Sequence, residues 1–186
     1  MHASAGATHR LFFALWPDDE VRRAITARAT EFAGACAPGG RPVAPQRYHL
    51  TLQFLGSFAA LPEAVVEGAI AAGDNVHAPE LTLLLDRIGS FERNRVWWLG
   101  CDPSPGLLHL RGELGRALAA AGLRTDATPF VPHVTLGRGQ PPRLRPRAID
   151  PLAWPLRDFV LVDSATGAPA YRIVRRWPLE PVNRGS

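Results

Sequence analysis

Two short stretches of the chain share one pattern, His49-Leu50-Thr51-Leu52 and His133-Val134-Thr135-Leu136, and lie nearly half the chain apart. In an extended strand, residues two apart point to the same side, so His49 and Thr51 share a face, as do His133 and Thr135. Leucines and a valine occupy the other face. Two such strands facing one cleft would present two imidazoles and two hydroxyls, a set suited to a phosphate: hydroxyls donate to nonbridging oxygens while the imidazoles move protons.

Hydrolysis of a cyclic phosphodiester needs water to attack phosphorus in line with the departing oxygen, so base and acid belong on opposite sides of the phosphate. Imidazole suits both tasks, because its ordinary pKa near 6.5 lets one ring be neutral and the other protonated. Histidine and threonine with no nearby carboxylate or cysteine make a poor metal ligand set, and no metal or other cofactor is expected. A lone His-x-Thr in a strand is ordinarily a surface or packing feature; the matched pair points to catalysis. His2, His9, His77 and His109 lack that context and read as surface or packing residues. Arg138, at the end of the second strand between Gly137 and Gly139, is placed to clamp a phosphate or else to sit solvated at a strand end. Phe12 or Phe13 offers a ring to a base, although an aromatic in this strand more often packs in the core. Trp97 and Trp98, as alternating neighbours, predict one buried and one exposed ring.

The surrounding pattern must supply the strands. Residues 10–17 (RLFFALWP) read as a strand, followed by a helix to about Ala33. The Gly- and Pro-dense 34–47 reads as a connection. In 48–56, His49, Thr51 and Gln53 alternate with Leu50, Leu52 and Phe54, and Gly56 is expected to end the strand. A helix is predicted from Pro62 to about Ala72, an antiparallel pair from 80–91 and 95–102, and a helix in 104–123 on the stripe Leu107, Leu110, Leu114 and Leu118. A second alternating strand covers 130–139, a basic loop 141–147, and a hairpin the segments on either side of Ala165 to Pro169. This order suits an α+β fold with two half-sized lobes, duplicated and mainly antiparallel sheets, helices outside and a central cleft, in a single domain over 1–186.

Hydrophobic residues make up 46% and charged residues 20% of the chain, ordinary globular usage that excludes a disordered polyelectrolyte. All 21 basic residues are arginine. Coding bias explains this blandly; an anionic partner explains it functionally, since guanidinium offers planar, bidentate donors to phosphate. Cys36 and Cys101 form no short ligand spacing and no disulfide framework. No leader-like or membrane-spanning run stands out, so a soluble, cytoplasmic protein is expected.

With these residues assembled, the sequence resembles the two-histidine phosphoesterase superfamily, specifically its bacterial and archaeal RNA 2′,3′-cyclic phosphodiesterase branch, historically called 2′-5′ RNA ligases. The resemblance runs through RLFFAL (10–15), GRPV (40–43), HLTLQFLG (49–56), RVWWLG (95–100) and PFVPHVTLGR (129–138). It implies a bilobal fold with pseudo-twofold symmetry and a substrate ending in a 2′,3′-cyclic phosphate, opened to a 2′-phosphate. It further implies His49 as proton donor to the leaving 3′ oxygen, His133 as the acceptor that activates water, and Thr51, Thr135 and Arg138 as phosphate contacts. The expected partner is RNA or an oligonucleotide with such an end, bound by a monomer with no obligate protein partner. Loops 34–47 and 141–147 depart from the family pattern.

Two other readings stand beside hydrolysis. One is joining of RNA through a 2′-5′ linkage by the reverse chemistry. The other is a noncatalytic RNA-binding module, suggested by the arginines Arg143, Arg145 and Arg147.

Overall fold

The computed structural model describes residues 8–36, 40–126, 128–139 and 144–182. In chain order the elements are β1 (His9–Leu15), α1 (Asp19–Cys36), β2 (Arg41–Pro42), a 3-10 turn (Pro45–Arg47) and β3 (Leu50–Phe58). Then follow α2 (Glu63–Asp74), β4 (Leu81–Phe91), β5 (Val96–Gly100) and α3 (Pro105–Ala120). The chain finishes with β6 (His133–Arg138), β7 (Arg147–Leu156), β8 (Asp158–Ala165) and β9 (Arg172–Pro178).

Local chemistry starts the helices where the sequence says it should. The Asp18 carboxylate accepts from the Val21 amide at 2.9 Å, and Ser104 Oγ accepts from the Leu107 amide at 3.3 Å with Pro105 behind it. Both satisfy amides that a helix start leaves unpaired. The four leucines of the α3 stripe are fully buried.

All the strand pairings are antiparallel, in the order β7-β4-β5-β6-β3-β1-β8-β9, with β2 added to β6. Along that path, β2 aside, four strands lie on each side of the β6–β3 junction. That junction consists of one register pair, Leu50 with Val134, each the residue immediately after its histidine. Beyond it the two strands part. β2 takes over the free edge of β6, pairing Arg41 with Arg138 and Pro42 with Gly137. The Leu52 carbonyl, with no partner strand there, accepts from Arg111 Nε at 3.2 Å, which answers the need of a part-buried carbonyl for a donor.

The main core packs α1, α2 and α3 against one sheet face, which carries Leu50, Leu52, Val134 and Leu136 as well as Leu11, Phe13 and Leu15. A smaller apolar cluster of Phe12, Ala14, Val160 and Val162, joined by Trp16, Phe54 and Tyr171, lies on the opposite face. The expected α+β architecture with antiparallel sheets is present, although the two halves form one path rather than separate sheets.

Several expectations need correcting. β3 does not alternate throughout: β1 pairs Ala14 with Thr51 but Phe13 with Gln53, so Leu52 is an extra residue on its strand. Such a bulge turns the following side chains over. Gln53 consequently points to the core side, 3% exposed, with its Oε1 accepting from the Asp126 amide at 3.0 Å, while Phe54 joins the histidine face. Gly56 lies within β3 and does not end it. α1 runs on to Cys36, and β2 and the 3-10 turn occupy part of the predicted connection. Trp97 and Trp98 are both buried, because Gly137 leaves room for the Trp97 indole and Gly89 and Gly100 for that of Trp98. β7 was not expected, since Pro151 and Pro155 argue against a strand; it is tolerated as the edge strand of the path. Of the basic loop 141–147, residues 141–143, including Arg143, lie outside the described residues, and Arg147 opens β7.

Candidate active site

The alternation of β3 and β6 and the single Leu50–Val134 rung bring the paired motifs together. A cavity of about 610 Å³ is lined by His49, Thr51, His133, Thr135 and Arg138. A neighbouring cavity of about 750 Å³ shares His49, Thr135, Arg138 and Tyr171 with it. The five residues singled out by sequence thus border one cleft.

Both histidines are held in the same way. His49 Nδ1 lies 2.7 Å from the Arg47 carbonyl oxygen, and His133 Nδ1 lies 2.7 Å from the Val131 carbonyl oxygen. A carbonyl only accepts, so each Nδ1 carries a proton and donates it, leaving each Nε2 as the atom that takes or gives a proton. The two rings differ in surroundings. His49 is enclosed by Phe12 at 5.0 Å, Trp16 stacked at 5.9 Å and Tyr171 edge-on at 5.4 Å between centroids. His133 meets Phe91 edge-on at 4.9 Å.

These surroundings decide the charge states. Burial is the main cause that pulls His49 down from the usual 6.5 to about 4; His133, Arg138 and Arg10 add positive charge that lowers it further, while the Arg47 carbonyl works the other way. His133 is lowered too, first by burial and then by Arg138, against the opposing pull of the Val131 carbonyl. With no anion present, both rings are neutral at pH 7. The Thr51 and Thr135 hydroxyls have no hydrogen-bond partner among the described residues, so both remain open to a ligand.

Among the described residues, five arginines line the two cavities, Arg10, Arg41, Arg47, Arg111 and Arg138, and none forms an ion pair with a described carboxylate. On β9 the opposite holds: Arg172, Arg175 and Arg176 are paired with Asp163, Asp74 and Asp158. The cleft therefore concentrates positive charge in excess of negative, which an anionic ligand would neutralise. Among the described residues Asp126 is the one carboxylate on its walls; the Thr128 amide and hydroxyl bond its side chain, and the Arg111 charge acts on it as well.

Sequence reasoning missed Arg10, Arg41, Arg47, Arg111, Trp16 and Tyr171. Only long-range pairing brings them in: Arg47 carries its guanidinium 4.5 Å from the Tyr171 ring centroid, and Arg111 lies 4.6 Å from that of Phe130. Phe13 is core, as the commoner reading had it, and Phe12, 5% exposed, packs on His49. Of the remaining histidines, His9 contacts buried Asp163 at 2.9 Å and His77 contacts Glu180 at 3.1 Å, both away from the cleft; His2 lies outside the described residues. Arg147 lies 5.6 Å from the Phe32 ring centroid and borders a different cavity.

The family model described as the 2′-5′ RNA ligase superfamily matches residues 17–167. The chain belongs to the 2′-5′ RNA ligase superfamily. Among members of this superfamily, the chain is 36% identical over 176 residues to the Escherichia coli K12 protein named RNA 2′,3′-cyclic phosphodiesterase, covering 91% of this chain and 96% of that one. The crystal structure of E. coli LigT in apo form superposes with a TM-score of 0.73 at 34% identity, covering 94% of this chain and 99% of that one. LigT complexed with 3′-AMP gives 0.71 at 32% identity, covering 92% and 98%. The superfamily thus accounts for the fold over nearly the whole chain. No helix among the described residues is long and apolar enough to cross a membrane.

Proposed function

We propose that this protein hydrolyses 2′,3′-cyclic phosphate ends of RNA to 2′-phosphate ends, using His49 and His133 as acid and base without a metal ion. The observation that carries the proposal is the pair of imidazoles lining one cleft, each anchored through Nδ1 and so left with Nε2 to exchange a proton. The name of the E. coli relative and the LigT complex with 3′-AMP support the substrate class. The matched His-x-Thr strands on either side of the Leu50–Val134 rung support a single domain of two pseudo-symmetric lobes, each contributing half the site.

In this mechanism Arg138, Thr51 and Thr135 hold the nonbridging oxygens. Neutral His133 takes a proton from water through Nε2 as the water oxygen bonds to phosphorus. The bond from phosphorus to the 3′ oxygen breaks, and that oxygen takes the proton from Nε2 of His49. One proton is gained by His133 and one lost by His49, and exchange with solvent resets both. His133 is neutral at pH 7 and ready as a base. His49 is neutral until an anion arrives, so the phosphate it is to protonate also promotes its charging.

The test is incubation of a short RNA ending in a 2′,3′-cyclic phosphate with the protein in excess chelator, followed by mass and phosphatase analysis of the end. A 2′-phosphate is expected. A folded protein that leaves the end intact, or whose turnover disappears with chelator and returns with metal, overturns the proposal.

A further inference from the structure

The cleft has more positive charge than one cyclic phosphate requires, with two further arginines on either side of Arg138. The larger cavity is lined by Arg41 and Arg47 in addition to the shared Arg138, and no carboxylate among the described residues borders it. Arg41 faces this cavity because β2 is pressed onto the end of β6. Gly40 and Gly139 pack so closely that a Cβ on Gly139 would lie 2.6 Å from the Gly40 Cα, and the register then sets Arg41 opposite Arg138. Arg47 stands over Tyr171, and its Nε is buried with no hydrogen-bond partner. Three guanidiniums around one cavity repel one another unless an anion lies among them.

The direction of the reaction says which anion. The reading that His49 protonates the 3′ oxygen, on which this inference rests, places the terminal ribose on the His49 side and the attacking water on the His133 side. His49 borders both cavities, whereas His133 borders only the smaller one. The body of the RNA must therefore leave the reacting phosphate through the larger cavity. We propose that Arg41 and Arg47 bind the phosphodiester on the 5′ side of the terminal nucleotide, so that the enzyme selects polynucleotide ends over mononucleoside cyclic phosphates. The residues shared by the two cavities, among them Arg138 and Thr135, hold the reacting phosphate at the junction. Arg111 is no rival for the second phosphate, because it is spent on the Leu52 and Asp126 carbonyls; Arg10, on the other side, is the competing candidate.

The experiment compares kcat/KM for a mononucleoside 2′,3′-cyclic phosphate with that for the same nucleotide linked through its 5′ phosphate to one more nucleotide. In the natural protein the linked substrate is expected to be favoured by about tenfold or more, the worth of one charge-assisted phosphate contact. R41A and R47A should each pull that ratio towards one, chiefly through KM, as should replacing the linking phosphate by an uncharged methylphosphonate. R23A, an exposed arginine on α1, controls for net charge. A ratio near one in the natural protein overturns the assignment, as does a ratio that survives R41A and R47A or collapses instead in R10A. If neither substrate is turned over, the hydrolytic reading fails separately; the subsite is then judged by the same ratio of dissociation constants for the 2′-phosphate-ended mononucleotide and dinucleotide.

Discussion

The charge state of His49 offers the most incisive test. A ring held down from 6.5 to about 4 is protonated in roughly one molecule in a thousand at pH 7, far too few for a proton donor. A phosphate oxygen about 3 Å from Nε2 attracts the imidazolium by roughly 5 kcal/mol at an effective dielectric near 20. At about 1.36 kcal/mol per pKa unit that is close to four units, enough to raise the His49 midpoint to about pH 7 or above. Binding should therefore draw in about one proton per site. The perturbation is addition of a nucleoside 2′,3′-cyclic phosphate, whose diester charge does not titrate, to the H133A variant so that turnover does not intrude. Calorimetry at pH 7 in buffers of different ionisation enthalpy reads the proton count, and proton NMR of the His49 ring reads its midpoint with and without ligand. Zero uptake, or a free-protein midpoint near 6.5, refutes the account of His49 as a donor charged by its substrate.

Replacing His49 or His133 by Ala should cost turnover about 10²–10⁴-fold each, the usual worth of an acid or base, with much smaller changes in substrate KM; single-turnover rates check this. Stability should also respond to acid. The unfolded chain protonates His49 below about 6.5 whereas the folded one resists until about 4, so stability present above 6.5 falls through that window by up to about 3 kcal/mol; urea midpoints against pH should decline less steeply in H49F. A Cβ on Gly137 would lie 1.7 Å from Trp97 Nε1, so G137A should lower stability by about 2 kcal/mol or more through overpacking, seen as a reduced Tm. Cys101 is buried and its thiol pushed up to about 11; it should resist alkylation at pH 8 until the protein is unfolded, as mass spectrometry would show.

The meeting of His49 and His133 in one cleft was legible because two signals coincide: strand alternation assigns each side chain to a face, and repetition of His-x-Thr links two distant faces. The helix caps are equally local, with Asp18 and Ser104 each accepting from an amide three residues on. What failed depended on partners far along the chain. The bulge at Leu52 exists only in register with β1, and it alone turns Gln53 inward and Phe54 outward. β7 carries two prolines that only its edge position excuses. The accessory arginines of the cleft come from β1, β2, the 3-10 turn and α3, so no window of sequence contains them. Arginine content was visible; which arginines are left without carboxylates was not.

The lone Leu50–Val134 rung has a mechanical consequence. If the two halves of the sheet tilt relative to each other about that rung, displacement grows with distance from it. His49 and His133 each precede a rung residue, so they sit beside the fulcrum and keep their spacing while the outer lips travel furthest. Breathing that admits a bulky strand of nucleic acid would then leave the geometry of proton transfer almost undisturbed.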